Sequence, residues 1–132
     1  MTSPAATLPP HRTVHVDLGP KAYDVVIGRK LKGHIATLME AHQIGGPYAV
    51  INDVRLRDWS GEIQDHLPNT FLSSIPSGET SKSMDQVRTT LRRLSQQKIS
   101  RHGTVIALDG GVIGDLSGFI AAIYLRGINF VQ

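Results

Sequence analysis

Four short apolar runs, separated by stretches with helical periodicity, constrain the fold of this chain more than any other feature. They are YAVIND (Tyr48 to Asp53), TFLSSI (Thr70 to Ile75), TVIAL (Thr104 to Leu108) and INFVQ (from Ile128). YAVIND and TVIAL are short and apolar on both faces of a strand, the pattern of strands buried inside a parallel sheet. Between the runs lie three helical stretches. One, residues 55–66, puts Leu56, Trp59 and Ile63 on one side. The next carries the stripe Met84, Val87, Leu91 and Leu94, and Ser83 and Gln86 stand at capping-box spacing before it. The last covers about 112–124 and is rich in small residues. Parallel strands need long crossovers, and helices supply them. The expected class is therefore α/β: a Rossmann-like, mostly parallel sheet with helices on both faces.

Upstream, TVHVDL (Thr13 to Leu18) alternates and reads as a strand with one wet face. YDVVIG (Tyr23 to Gly28) follows the turn GPKA, so the two form a hairpin. A helix over 30–42 is expected from Leu31, Ile35, Leu38 and Met39. Residues 1–12, MTSPAATLPPHR, read as a disordered tail, without the basic start and apolar core of a signal peptide. The folded unit is then 13–132, a size that suits one domain.

Composition narrows the chemistry. The chain has no cysteine, which excludes disulfides and thiolate metal sites. Of its six histidines only His11 and His15 stand at H-x-x-x-H spacing, and they fall across the tail and the first strand instead of on a helix face, so no metal site is expected within it. The net charge is +3 with basic residues scattered and aromatics few, so no nucleic-acid partner is expected, whereas small anions are plausible ligands. The most apolar segment, Val112 to Leu125, is too short to span a bilayer and contains Asp115. A soluble, cytoplasmic protein with no membrane partner is expected.

In parallel α/β sheets ligands sit beyond the carboxyl ends of the strands. Three polar features fall there. The first is Asp53, which either accepts hydrogen bonds from ribose hydroxyls or caps a turn. The second is the loop Ser77, Gly78, Glu79, Thr80, Ser81, Lys82, which puts an acid, hydroxyls and a phosphate-pairing cation together or simply caps the next helix. The third is the turn DGGVIGD. Against G-x-G-x-x-G, Gly111 and Gly114 fit and position 109 is Asp. Gly110 and Gly111 let backbone N–H groups approach a phosphate, and the helix start at Val112 and Ile113 adds donors. Asp115 is placed in the first helical turn, where it either stabilises the dipole or binds a hydroxyl. Arg126, past the helix, either grips a carboxylate or phosphate or is a solvated C-terminal cation.

Taken in order, YDVVIG, VINDVRL, IPSGETSKSMDQV and RHGTVIALDGGVIGDLSGFIAAIYLRGINFVQ resemble 3-dehydroquinate synthases, a family of sugar-phosphate cyclases, over about 13–132. The resemblance implies a lyase of the shikimate pathway and aromatic amino acid biosynthesis. Such an enzyme turns the keto-sugar acid phosphate DAHP into 3-dehydroquinate and phosphate, oxidising a ring hydroxyl transiently with NAD. By position, Asp53 matches the adenosine-ribose acid and Ser77 to Lys82 the second NAD loop. Gly110, Gly111, Val112, Ile113, Gly114 and Asp115 match the pyrophosphate turn, and Arg126 a substrate-binding arginine of a neighbouring subunit's site in a homodimer.

Two departures qualify the resemblance. The family reads GGG where this chain has Asp109-Gly110-Gly111, which weakens NAD binding. The family's metal ligands, for zinc or cobalt, and most substrate-binding residues lie in a C-terminal helical domain absent from these residues. The chain is therefore expected to be the N-terminal half of a two-domain enzyme, with no catalytic residue of its own and inactive alone. A non-catalytic nucleotide-binding domain and a related sugar-phosphate cyclase are the alternatives.

Overall fold

A computed structural model describes residues 7–132. Its centre is β3 (Tyr48–Asp53), every residue of which is buried. Beside it run β4 (Thr70–Ile75), β5 (Thr104–Leu108) and β6 (Asn129–Val131), all parallel, in the order β4-β3-β5-β6. Successive residues of a strand point to opposite faces, and both faces are covered. On one side Ala49, Ile51, Val105 and Ala107 pack against α3 (Met84–Gln96) and α4 (Gly111–Ile123), through Val87, Leu94, Ile113 and Ile120. On the other, Tyr48, Val50 and Ile106 meet Met39 of α1 (Ile35–Ala41) and Ile63 of α2 (Arg57–His66). The expected doubly covered parallel sheet is the fold.

The structure differs from the sequence expectations where packing outranks periodicity. The helix expected over 30–42 is a 3-10 turn, Leu31–His34, followed by α1, and of its four stripe residues only Met39 is buried. Lys30, at φ 60°, bends the chain just before that turn. Trp59 does not face the core. It is half exposed, and the Lys32 ammonium sits 4.1 Å from its ring centroid. Such a contact at an exposed site is worth roughly 0.5–1 kcal/mol. Met84 is the first residue of α3 and projects into solvent, while Thr90 takes a buried place in its stead. Ser83 does cap α3, accepting from the Gln86 backbone N–H at 3.2 Å. The Gln86 side chain turns to Thr90 instead of closing the capping box.

β1 (His11–Val16) and β2 (Tyr23–Gly28) form the expected antiparallel hairpin, pairing His11 with Gly28 and Val16 with Tyr23. The strand begins at His11, inside the segment read as a tail; residues 1–6 of that segment lie outside the described residues. One wet face was expected, yet Val14, Val25 and Ile27 are all exposed. A two-stranded ribbon has no second layer of its own to cover it. Asp24 ties the hairpin to α1's end, accepting from His15 Nδ1 at 2.7 Å and His42 Nε2 at 3.2 Å. The His15 hydrogen bond above all holds the Asp24 carboxyl below its usual range. Among the described residues no helix is long and apolar enough to cross a membrane.

Leu94 is fully buried between α3 and the sheet, whereas Met84 touches mainly solvent. Leu94→Ala is expected to destabilise the fold by about 2–5 kcal/mol. Met84→Ala should stay within about 0.5 kcal/mol of the parent. Urea unfolding of both variants checks the ranking.

Candidate functional site

The strand order reverses between β3 and β5. From β3 the chain passes through α2, on one face, to β4; from β5 it passes through α4, on the other face, to β6. The two loops leave adjacent strand ends in opposite directions, and a crevice opens between them. Asp53 and Arg55 line it from the β3 side, Pro76, Gly78 and Glu79 from the β4 loop, and Asp109, Gly110, Val112 and Ile113 from the β5 side. Its volume is about 210 Å³. Pockets that enclose a drug-sized ligand run from roughly 300 to 1000 Å³, so this crevice holds part of a larger molecule.

Asp53 is only 3% exposed. Its Oδ1 accepts from the Arg55 backbone N–H at 2.8 Å, Arg55 Nε at 2.9 Å and Ser77 Oγ at 2.7 Å. Its Oδ2 accepts from an Arg55 terminal nitrogen at 2.9 Å. These donors, the Arg55 side chain first and Ser77 next, hold its carboxyl well below the usual carboxylate range. Of the two readings of Asp53, the structure shows the cap, on the 3-10 turn Val54–Leu56, and places the same residue in the crevice lining. Behind it, fully buried Asn52 donates to the Asp53 carbonyl at 2.7 Å and to Ser74 Oγ at 3.1 Å, pinning β3 to β4. Sequence reasoning assigned no role to Arg55. The available signal was Asp-x-Arg directly after a buried strand, a spacing that lets one arginine close on the acid of its own turn.

Across the crevice, α4 starts at Gly111 with Gly110 as its cap residue and no capping side chain. The first backbone N–H groups of a helix lack intrahelical partners and favour an anion. Gly111, at φ 51°, takes a left-handed backbone that suits glycine. Asp109 stands at φ 131°, a region where a side chain is strained, and its Oδ1 accepts the Gly110 N–H at 2.7 Å. The aspartate thus occupies a donor that the turn would otherwise present, as well as adding a charge.

Not every residue singled out from the sequence reaches the crevice. Ser77 is joined to it through Asp53, but Thr80 lies exposed on the 3-10 turn Glu79–Ser81. Ser81 donates to the Pro76 carbonyl at 2.6 Å. Asp115 is the fifth residue of α4, not in its first turn, and it accepts from Lys82 Nζ at 2.7 Å. This hydrogen bond raises the Lys82 ammonium's pKa and keeps the cation on the α3–α4 side, beside Met84 and Phe119. Gly114 packs against the Gln132 side chain. Arg126 ends the 3-10 turn Tyr124–Arg126 ahead of β6, at the opposite end of the sheet from the crevice. The length of α4, roughly 20 Å, separates them. Arg126 therefore does not stand around the glycine turn of its own chain. Among the described residues, no three His, Asp or Glu side chains converge as metal ligands.

A family model described as "3-dehydroquinate synthase N-terminal" matches residues 72–132. The 3-dehydroquinate synthase of Methylococcus capsulatus is 38% identical over 124 residues, 92% of this chain and 34% of that protein. The chain thus spans about a third of the length of such relatives. A solved structure of 2-deoxy-scyllo-inosose synthase with carbaglucose-6-phosphate, NAD+ and Co2+ superposes with a TM-score of 0.78 at 19% identity, over 90% of this chain and 34% of the other. The 2-epi-5-epi-valiolone synthase of Streptomyces hygroscopicus, with NAD+ and Zn2+ bound, gives 0.68 at 26% identity, over 87% and 33%.

Because Asp53's carboxyl is held below its unfolded value of about 3.9, its contribution to stability is whole above that pH. It is lost as the pH falls through the lowered, folded value. Asp53→Asn is expected to be less stable than the parent at neutral pH but to lose less stability on acidification below about pH 4. Urea midpoints at neutral and acid pH measure this; parallel slopes for the two proteins would contradict it.

Proposed function

The chain belongs to the 3-dehydroquinate synthase family by its N-terminal part, and on that premise we propose that it is the NAD-binding portion of such an enzyme. The observation that carries the proposal is the meeting of Asp53, the Gly78–Glu79 turn and the uncapped start of α4 around one crevice at the strand-order switch. NAD, when bound, supplies a reversible acceptor for hydride. This chain's residues hold and orient it. The first-turn N–H groups of α4, from Gly111 to Ile113, take the pyrophosphate, helped by the helix dipole. Gly78, at φ 101° with open space around it, keeps the crevice wall free of a side chain. Glu79 and the Asp53–Arg55 pair face the hydroxyl-bearing parts.

The substrate of the complete activity is a small anionic sugar phosphate, DAHP, converted to 3-dehydroquinate and phosphate in the shikimate pathway of aromatic amino acid biosynthesis, a cytoplasmic route. Arg126, at the far end of the sheet, serves a substrate site in a second copy of a homodimer. The described residues do not fit a zinc or cobalt ion, and no step within this chain passes through one. One observation favours a second reading, a nucleotide-binding domain without catalysis: Asp109 blocks a donor of the pyrophosphate turn.

Titration calorimetry of the 132-residue chain is expected to give NAD binding in the micromolar to sub-millimolar range. No phosphate should be released from DAHP by this chain alone; release would overturn the placing of the catalytic groups outside it. Asp109→Gly frees the Gly110 N–H, relieves the strained backbone and removes a carboxylate from the phosphate side. It should tighten NAD by about tenfold, the worth of one charge-assisted contact. Lower stability with unchanged affinity would make Asp109 a structural cap and nothing more.

A further inference from the structure

We infer that Arg55 sets the choice of dinucleotide in this crevice, and that it admits a 2′-phosphorylated adenosine ribose, as in NADP, alongside the unphosphorylated form. The inference rests on the nucleotide-binding reading above and sharpens it.

An acid at the end of a strand selects NAD over NADP in two ways. Its free lone pairs accept the ribose hydroxyls, and its charge repels a 2′-phosphate. Both conditions are weakened here. Oδ1 of Asp53 already accepts three hydrogen bonds and Oδ2 one, and the carboxylate is almost wholly withdrawn from solvent. Two of those bonds, each 2.9 Å, come from a guanidinium that cancels the charge side-on. What an incoming ribose meets is the arginine. Its side chain is 71% exposed, and it lines the crevice beside Gly78 and Gly110. A guanidinium has five N–H donors, and the Asp53 carboxylate engages only its Nε and one terminal nitrogen. The remaining donors form a planar fork that matches a phosphate's oxygens. An arginine at this end of a dinucleotide site is the feature that accommodates a 2′-phosphate. The opposing acid, Asp109, faces the same crevice and attracts Arg55 through space, but its Oδ1 is bonded to the Gly110 N–H and not to the guanidinium, so it leaves the fork's donors open.

Removing the guanidinium would return both oxygens of Asp53 to the crevice, with only Ser77 and a backbone N–H left on Oδ1. The same substitution that costs NADP its cation would therefore give NAD its acceptor. Cofactor preference here depends on one side chain acting in opposite directions on two ligands.

Calorimetric titration of the 132-residue chain with NAD and with NADP tests this, using the parent, Arg55→Leu and Arg55→Lys, with circular dichroism to confirm folding. The parent is expected to bind the two within about tenfold of each other. Arg55→Leu should weaken NADP by at least about tenfold and tighten NAD, while Arg55→Lys, which keeps the charge but loses the fork, falls between them. If Arg55→Leu does not fold, the Lys variant carries the test through the same ratio. NAD binding with NADP more than about a hundredfold weaker, or a ratio indifferent to Arg55, would overturn the inference and leave the NAD-binding reading standing. Failure of the parent to bind either dinucleotide would instead remove that reading, and this one with it.

Discussion

Burial of β3 on both faces is the constraint on which the rest of the structure depends. Val50 and Ile51 are fully removed from solvent, and each such side chain contributes about 1.5–3 kcal/mol relative to exposure. A strand with no wet face must lie between two others and beneath two layers of helix. Once β3 is central, with β4 on one flank and β5 on the other, its loop and that of β5 must leave in opposite directions. The crevice is a by-product of that topology. Its position is dictated by core packing and only its lining is chosen for chemistry.

The lining carries two charged side chains, one on each side. Asp109 occupies a backbone donor on the β5 side, and Arg55 occupies the carboxylate on the β3 side. Each side chain closes on a group of its own loop. A nucleotide bound as proposed would exchange those local contacts for its own. Affinity is thus set by the difference between two sets of hydrogen bonds, a smaller quantity than either set alone.

Away from the crevice, the chain leaves apolar side chains in solvent: Met84 and Phe119 along the α3–α4 groove, Val25 and Ile27 on the hairpin. The Lys82–Asp115 pair sits at the rim of that groove, with both side chains substantially exposed. Exposed pairs of this kind contribute little, so it orients the rim more than it stabilises the fold.

The parallel α/β class, the four strands and the crossover helices were legible in the sequence, because strand burial and helix stripes are local patterns that a linear reading can count. So were Asp53, Gly78, Glu79 and the glycine turn as neighbours, since the rule that ligands lie beyond strand ends needs only the order of elements. What tertiary structure alone decided was partnership. Arg55 closing on Asp53, Lys82 drawn to Asp115, Trp59 held outward under Lys32, and Arg126 at the far end of the sheet from the crevice all depend on how the elements pack. Sequence spacing records which residues share an element. Side-chain direction, and with it the hydrogen bonds that neutralise or free a charged group, follows from packing in three dimensions.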